Sequence, residues 1–205
     1  MPVIQNIIFD LGGVFLDLDV NKTIQAFVSL GFTEKMLNHD QNNKKVFWQF
    51  EVGKITPEEF RKGICDLLEK EIPDDEIDNA WNAMILGFKE EEIQLLLDLK
   101  SKYRTFLLSN TNIMHEKIYS DMLDSLMGIK MTDLFEKVYY SHEVGMGKPD
   151  PEIFSVVIND NGLNPEETLY IDDTEQHIES AKNLGVKCFL FPQNGDLKEI
   201  LPRTS

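Results

Sequence analysis

Five short apolar runs constrain this chain more than any other feature: Ile7-Ile8-Phe9, Thr105 to Leu108, Val138 to Tyr140, Thr168 to Ile171 and Cys188 to Phe191. None alternates apolar with polar residues, so each suits a strand buried on both faces, as in a parallel sheet. Helical spacing fills most of the intervals. Ile93, Leu96, Leu97 and Lys100 keep it before the second run, Phe154, Val157 and Ile158 before the fourth, and Ile178, Ala181 and Leu184 before the fifth. Asp150 reads as an N-cap with Pro151 in the first turn, and Gly185 as a C-cap. Strand and helix in alternation predict an α/β fold, a doubly wound parallel sheet with right-handed crossovers.

The rhythm breaks from about Asp19 to Gly87, where helices and no strand are expected. Thr56-Pro57-Glu58-Glu59 is a capping box with proline in the first turn, followed by Phe60, Ile64, Leu67 and Leu68 on one face. Ile77, Trp81, Met84 and Ile85 make a second such face. The division predicted is an α/β core over residues 1–18 and 90–205, with an all-helical insertion over 19–89.

At 205 residues and 42% apolar, the chain supports a real core. Thirty-six acids against twenty bases give a net charge of −16, and no stripe of Lys and Arg offers a surface for nucleic acid or anionic membrane. No apolar run approaches the roughly 18 residues of a membrane span. Asp10 interrupts the only candidate for a signal-peptide core, so a cytoplasmic location is expected. Cys65 and Cys188 are too few for a disulfide framework and, among apolar neighbours, read as buried free thiols. Nothing in the pattern specifies an oligomeric state.

In a doubly wound sheet, ligands bind at the carboxyl ends of the strands. Here those ends carry Asp10, then Ser109-Asn110-Thr111, then Ser141 followed by Lys148, then Asp172-Asp173. Singly, each has a bland explanation as a helix cap, a turn or a solvated charge. Jointly they do not, because folding gives no reason to gather three acids, a hydroxyl and a lysine on one edge. They suit phosphoryl transfer: a carboxylate attacks phosphorus and forms an aspartyl phosphate. Its charge repels the phosphate dianion, by about 4 kcal/mol for two unit charges about 4 Å apart at an effective dielectric near 20. A hard cation must bridge them, and oxygen ligands suit Mg²⁺. Three carboxylates, one Mg²⁺ and one lysine then sum to zero, leaving a site that accepts an anionic, small phosphorylated substrate.

This order of residues, Asp10, Ser109, Lys148 in "GMGKPDP" and Asp172-Asp173 in "YIDDT", resembles the haloacid dehalogenase superfamily across the whole chain. The resemblance implies a Rossmann-like core with a small α-helical cap and a Mg²⁺-dependent phosphatase. It implies Asp10 as nucleophile and metal ligand, Ser109 and Lys148 as catalytic groups on the phosphoryl group and its charge, and Asp173 as a direct metal ligand. Asp172 would ligate the metal or order its waters. Phosphatases of the superfamily usually carry a second aspartate two residues after the first. Here that place is Gly12. Its carbonyl still serves as a metal ligand, but it has no carboxyl to protonate the leaving group, a loss worth typically 10²–10⁴ in rate.

The wording "FDLGGV", "LLSNTN" and "DD…NLG" looks like the branch of sugar-1-phosphate phosphatases and the phosphatase half of epoxide hydrolases. An anomeric leaving group tolerates a missing acid best, which points to a sugar 1-phosphate. Three alternatives stand beside this. A degenerate, non-catalytic member would bind phospho-ligands without turnover. A haloacid dehalogenase needs no metal and has little use for the acid pair. A two-component receiver carries the same groups in a different order, without the insertion.

Weaker candidates complete the set. Asn110 joins Ser109 and Lys148 as a substrate-binding residue. In the insertion, Trp48 and Glu51 would offer an aromatic and a carboxylate to a sugar, with packing as the alternative for Phe47 and Trp48. His142, Asp17 and Asp19 are substitute acids, although His142 and His177 read more simply as surface residues.

Overall fold

The computed structural model describes residues 3–33, 36–37, 41–193 and 195–200. The first strand, β1 (Asn6–Phe9), is central in a five-stranded sheet with β4 (Arg104–Ser109), β5 (Lys137–Tyr140), β6 (Thr168–Asp172) and β7 (Lys187–Leu190). The order is β5-β4-β1-β6-β7 and every pairing is parallel. The chain builds outward from β1 to β5 on one side, then returns to β6 on the other. This reversal opens a crevice at the carboxyl ends of the strands.

Period-two alternation divides the core into two layers. Ile7, Phe9, Leu107 and Ile171 face α5 (Glu90–Lys100) and α6 (Ile113–Met127) through Ile93, Leu96 and Leu123. Ile8, Phe106, Leu108 and Tyr170 face α9 (Pro151–Asn161) and α10 (Glu175–Lys182) through Ile153, Phe154, Val157 and Ile178. Asp150 caps α9 by accepting from the Glu152 amide, with Pro151 in its first turn. Gly185 does adopt a positive φ, but α10 already ends at Lys182, so the expected C-cap lies beyond the helix. Residues 131–134 (α7), 141–144 (α8) and 197–200 (α11) complete the helices in chain order.

Between β1 and α5 lie α1 (Val20–Leu30), α2 (Gln41–Glu51), α3 (Pro57–Leu68) and α4 (Asp74–Asn82). Asp19 caps α1. Thr56 and Glu59 close the capping box of α3 in both directions, at 3.2 and 2.9 Å. These helices enclose an aromatic core of Phe27, Phe32, Phe50, Phe60 and Trp81. The expectation of no strand in this stretch needs correction. Leu16–Leu18 (β2) and Ile85–Phe88 (β3) form a two-stranded antiparallel ribbon that brackets the helices. Both strands are short, and Gly87 within β3 sits at φ 126, which hides the pattern in the sequence. The cysteines are free but only part-buried. Among the described residues, no helix is long and apolar enough to cross a membrane.

Candidate active site

β1 ends by delivering Asp10, whose amide donates to the Ile171 carbonyl of β6 at 2.8 Å, so the sheet itself places this carboxylate. Beyond it the amides of Val14, Phe15 and Leu16 converge on the Leu11 carbonyl, at 3.4, 3.2 and 3.0 Å, in one tight turn leading into β2. Gly13 occupies the turn at φ 73, and a Cβ there would lie 2.3 Å from Asp173 Oδ2. Only glycine allows the backbone to approach that carboxylate so closely.

Lys148 lies at the centre of the arrangement. It is fully buried, with Nζ 2.7 Å from Asp10 Oδ1 and 2.8 Å from Asp172 Oδ2. Burial works to lower its pKa, but the two carboxylates outweigh burial and hold it above the ordinary lysine value. Asn110 fixes the lysine backbone: its Nδ2 donates to the Lys148 carbonyl, and the Lys148 amide donates to its Oδ1, both at 2.8 Å. The Asn110 amide is thereby spent on positioning Lys148.

Asp172 is saturated. Besides Lys148, the Tyr170 hydroxyl donates to Oδ2, the Thr174 amide donates to Oδ1 at 2.7 Å, and His177 Nδ1 stands 3.0 Å from Oδ2. Burial works to raise its pKa, but Lys148 and His177 hold it well below the carboxylate range. Asp10 and Asp173 go the other way. Burial raises both, with the Asp172 charge adding to each.

Carboxylate oxygens of Asp10, Asp172 and Asp173 lie within 4.8 Å of one another. Three carboxylates against one ammonium leave net negative charge, with Asp10, Asp172 and Lys148 buried and Asp173 facing solvent. This all-oxygen donor set, short of positive charge, fits Mg²⁺. Ser109 ends β4 and is buried, yet its hydroxyl has only a 3.5 Å contact to the Asn110 carbonyl, the outer limit of a hydrogen bond.

A small cavity beside this edge is lined by Gly12, Leu18, Glu51, Ser109, Asn110 and His115, among others. Glu51 reaches it from the end of α2, and burial pushes its carboxyl up to about 7. Trp48 lies one turn earlier on α2, 40% exposed, with its ring against the loop before Lys148: a Cβ on Gly147 would meet Trp48 Cη2 at 2.8 Å. A larger hollow along α6 and β5, lined by Glu116, Asp124, Lys130 and Glu136, shares none of these residues.

The fold thus unites Asp10, Lys148, Asp172 and Asp173, and sets Ser109, Gly12 and Glu51 around one cavity. Other candidates fall elsewhere. His142 Nε2 pairs with Glu116 at 3.1 Å and its ring stacks on Tyr140, while His177 braces Asp172. Their side chains are 9% and 15% exposed, so neither is the surface residue expected. Asp17 pairs with Lys89 at 3.1 Å, and Asp19 is committed to its cap. His115 was missed. It stacks on Trp81, 4.8 Å between centroids, and its Nε2 lies 3.1 Å from the Trp81 carbonyl. Burial lowers its pKa to about 4. Its position on α6 carried no signal beyond ordinary helical spacing.

Residues 7–191 match the model of the haloacid dehalogenase-like hydrolases. The chain belongs to this family. It is 37% identical to the D-ribitol-5-phosphate phosphatase of Bacteroides thetaiotaomicron, over 94% of each chain. A HAD-family enzyme of the same organism, solved with magnesium and inorganic phosphate, superposes with TM-score 0.88 at 38% identity, covering 97% of this chain and 99% of the other. A HAD-like hydrolase of Porphyromonas gingivalis matches with TM-score 0.86 at 33% identity, over 97% and 96%. These relatives place this haloacid dehalogenase-like hydrolase in the phosphatase branch.

Proposed function

We propose that this chain is a cytoplasmic, Mg²⁺-dependent phosphatase that hydrolyses a small phosphorylated polyol or sugar through an aspartyl phosphate on Asp10. The observation that carries it is Lys148, buried between Asp10 and Asp172 with Asp173 alongside at one sheet edge. The relative acting on D-ribitol 5-phosphate and the neighbour solved with magnesium and phosphate support both substrate class and metal. Nucleic acid and membrane have no part in this reading.

In the proposed reaction Asp10 attacks phosphorus as the ester oxygen departs, and water then attacks the phosphoryl group and frees Asp10. Lys148 steadies the nucleophile and the charge on the phosphoryl oxygens. The free Ser109 hydroxyl donates to that group. Asp10, the Gly12 carbonyl and Asp173 would hold Mg²⁺, with Asp172, already saturated, aligning Lys148 and bound water. When bound, the cation neutralises charge between carboxylates and phosphate. Residues 1–18 and 90–205 form the catalytic core in this reading, and 19–89 a cap that offers Trp48 and Glu51 to the substrate, with the β2–β3 ribbon at its two junctions.

Release of phosphate from ribitol 5-phosphate and from 4-nitrophenyl phosphate tests it. Activity should vanish in excess chelator and return with Mg²⁺, and Asp173→Asn should raise the Mg²⁺ requirement sharply. Binding without turnover would mean a degenerate member. Metal-independent release of halide from a 2-haloacid would mean a dehalogenase.

A further inference from the structure

By the family resemblance, Gly12 leaves the ester oxygen without the acid that an aspartate at that position supplies in related phosphatases. Any replacement must be a protonatable group at the same cavity, held in place and not consumed by other contacts. Asp17 and Asp19 are committed elsewhere, and His142 does not line the cavity. His115 does line it, but burial lowers its pKa to about 4 and its Nε2 faces the Trp81 carbonyl. Tyr119 lines it too, yet burial holds its proton well above the usual phenol range, a poor donor at neutral pH.

Glu51 differs from all of these. It is part-buried, faces the cavity that Gly12 and Ser109 line, and none of its neighbours offers it a cation. Its backbone is pinned from two directions. The buried Ser141 hydroxyl stands 2.6 Å from the Glu51 carbonyl and 2.9 Å from the Thr111 carbonyl, and accepts from the Thr111 amide at 2.9 Å. Two residues on, Gly53 at φ 66 presses so closely on the core that a Cβ would lie 2.1 Å from the His142 carbonyl oxygen. The end of α2 is therefore tied to the segments after β4 and β5, which follow Ser109 and lead to Lys148.

We propose that Glu51 is the proton donor to the leaving oxygen, replacing from the insertion the acid that Gly12 cannot provide. The inference rests on the phosphatase reading and adds a residue to it. As Asp10 forms its bond to phosphorus, the ester P–O bond breaks and its electron pair leaves with the substrate oxygen, which takes the Glu51 proton and departs as an alcohol. Water then forms the new bond to phosphorus, the electron pair of the acyl-phosphate bond returns to Asp10, and the proton of that water passes to Glu51. Burial pushes the Glu51 carboxyl up to about 7, near the optimum for an acid that must give and regain a proton at neutral pH. Its place at a helix C-terminus, where negative charge is disfavoured, acts in the same direction.

The test is a leaving-group comparison with Mg²⁺ present. Glu51→Gln keeps size and shape but has no proton to give. Its kcat on ribitol 5-phosphate, an alkyl ester, should fall by about 10²–10³. On 4-nitrophenyl phosphate, whose phenolate leaves unaided, the fall should stay under about tenfold. Glu51→Asp, which keeps the acid one methylene short, should retain more alkyl activity than Glu51→Gln. A melting temperature close to wild type for both variants separates lost chemistry from lost fold. Equal losses on the two substrates, no loss, the reverse order of the variants, or wild-type turnover confined to 4-nitrophenyl phosphate would each overturn the assignment. Wild-type inactivity on both substrates, or activity surviving Asp10→Asn, would instead sink the phosphatase reading beneath it.

Discussion

The carboxyl edge of the sheet and the core of the insertion hold themselves together by opposite means. At the edge, one buried lysine is fixed by directional contacts: Asp10 and Asp172 at Nζ, Asn110 at both backbone groups. In the insertion, rings hold rings. Phe50 and Phe60 stack 4.4 Å apart, Phe47 and Trp81 5.3 Å apart, and Phe27 meets Phe32 edge-on at 5.4 Å. Directional contacts set geometry to a fraction of an ångström but leave charges stranded when one partner is removed. Ring packing spreads its stabilisation over many contacts and tolerates change. The proposed reaction therefore sits where tolerance is low, and the proposed substrate contacts of Trp48 and Glu51 come from where tolerance is high.

The comparison breaks most sharply at Asp10. Asp10→Asn should lower kcat on the order of 10⁴-fold or more while the fold persists, because an amide cannot form the acyl phosphate. Single-turnover assays beside a melting curve will show it. Lys148→Met removes the centre of the edge and leaves Asp10 and Asp172 uncompensated. Urea denaturation should show a loss of about 3–5 kcal/mol along with nearly all activity, relieved in part by Mg²⁺. Phe32→Ala in the insertion should cost a comparable 3 kcal/mol or so but leave kcat of the folded fraction unchanged, which separates the regions most clearly.

His115 lies where the regions meet, on the core helix α6 but stacked on Trp81. Its folded pKa of about 4 lies below the unfolded value of 6.5. Its contribution is therefore fully present above pH 6.5 and is lost as pH falls toward 4. The whole is worth about 3 kcal/mol. The acid limb of stability against pH should flatten in His115→Phe. The smallest effect belongs to Trp48→Ala. Removing the half-exposed ring should raise KM about fivefold, roughly 1 kcal/mol, with kcat little changed.

The central sheet was legible because the interior of a parallel sheet demands short unbroken apolar runs, and residues 7–9, 106–108, 138–140 and 169–171 supply them. The ribbon was not. β2 is three residues long, β3 contains a glycine, and neither alternates for long enough to be told from a helix end. Asp10 and the acid pair could be read because each carries charge at a strand end, where charge is unexpected, and Lys148 because its "GMGKPDP" setting carries the family resemblance. Asn110 looked like a phosphate contact, and its hold on Lys148 follows from a pairing 38 positions apart that no local pattern encodes. Ser141 was visible as a strand-end hydroxyl, but its bond to the insertion spans 90 positions. His115 was hidden for a simpler reason: on a helix that packs inward, a cavity wall and a core position share one spacing.

The join at Glu51 and Gly53 also sets a rule for exchanging parts. The core asks two things of any insertion: a backbone carbonyl that Ser141 can reach, and, two residues later, a residue without a side chain over the His142 carbonyl. Elsewhere the helices meet the core where Met114 of α6 enters their aromatic cluster and where His115 Nε2 of the same helix reaches the Trp81 carbonyl at 3.1 Å. A graft that keeps the three-residue seam and the ribbon strands would dock a foreign helical module as an interchangeable cartridge. A graft that places any side chain at position 53 would have to shift the strand-end loop that leads to Lys148.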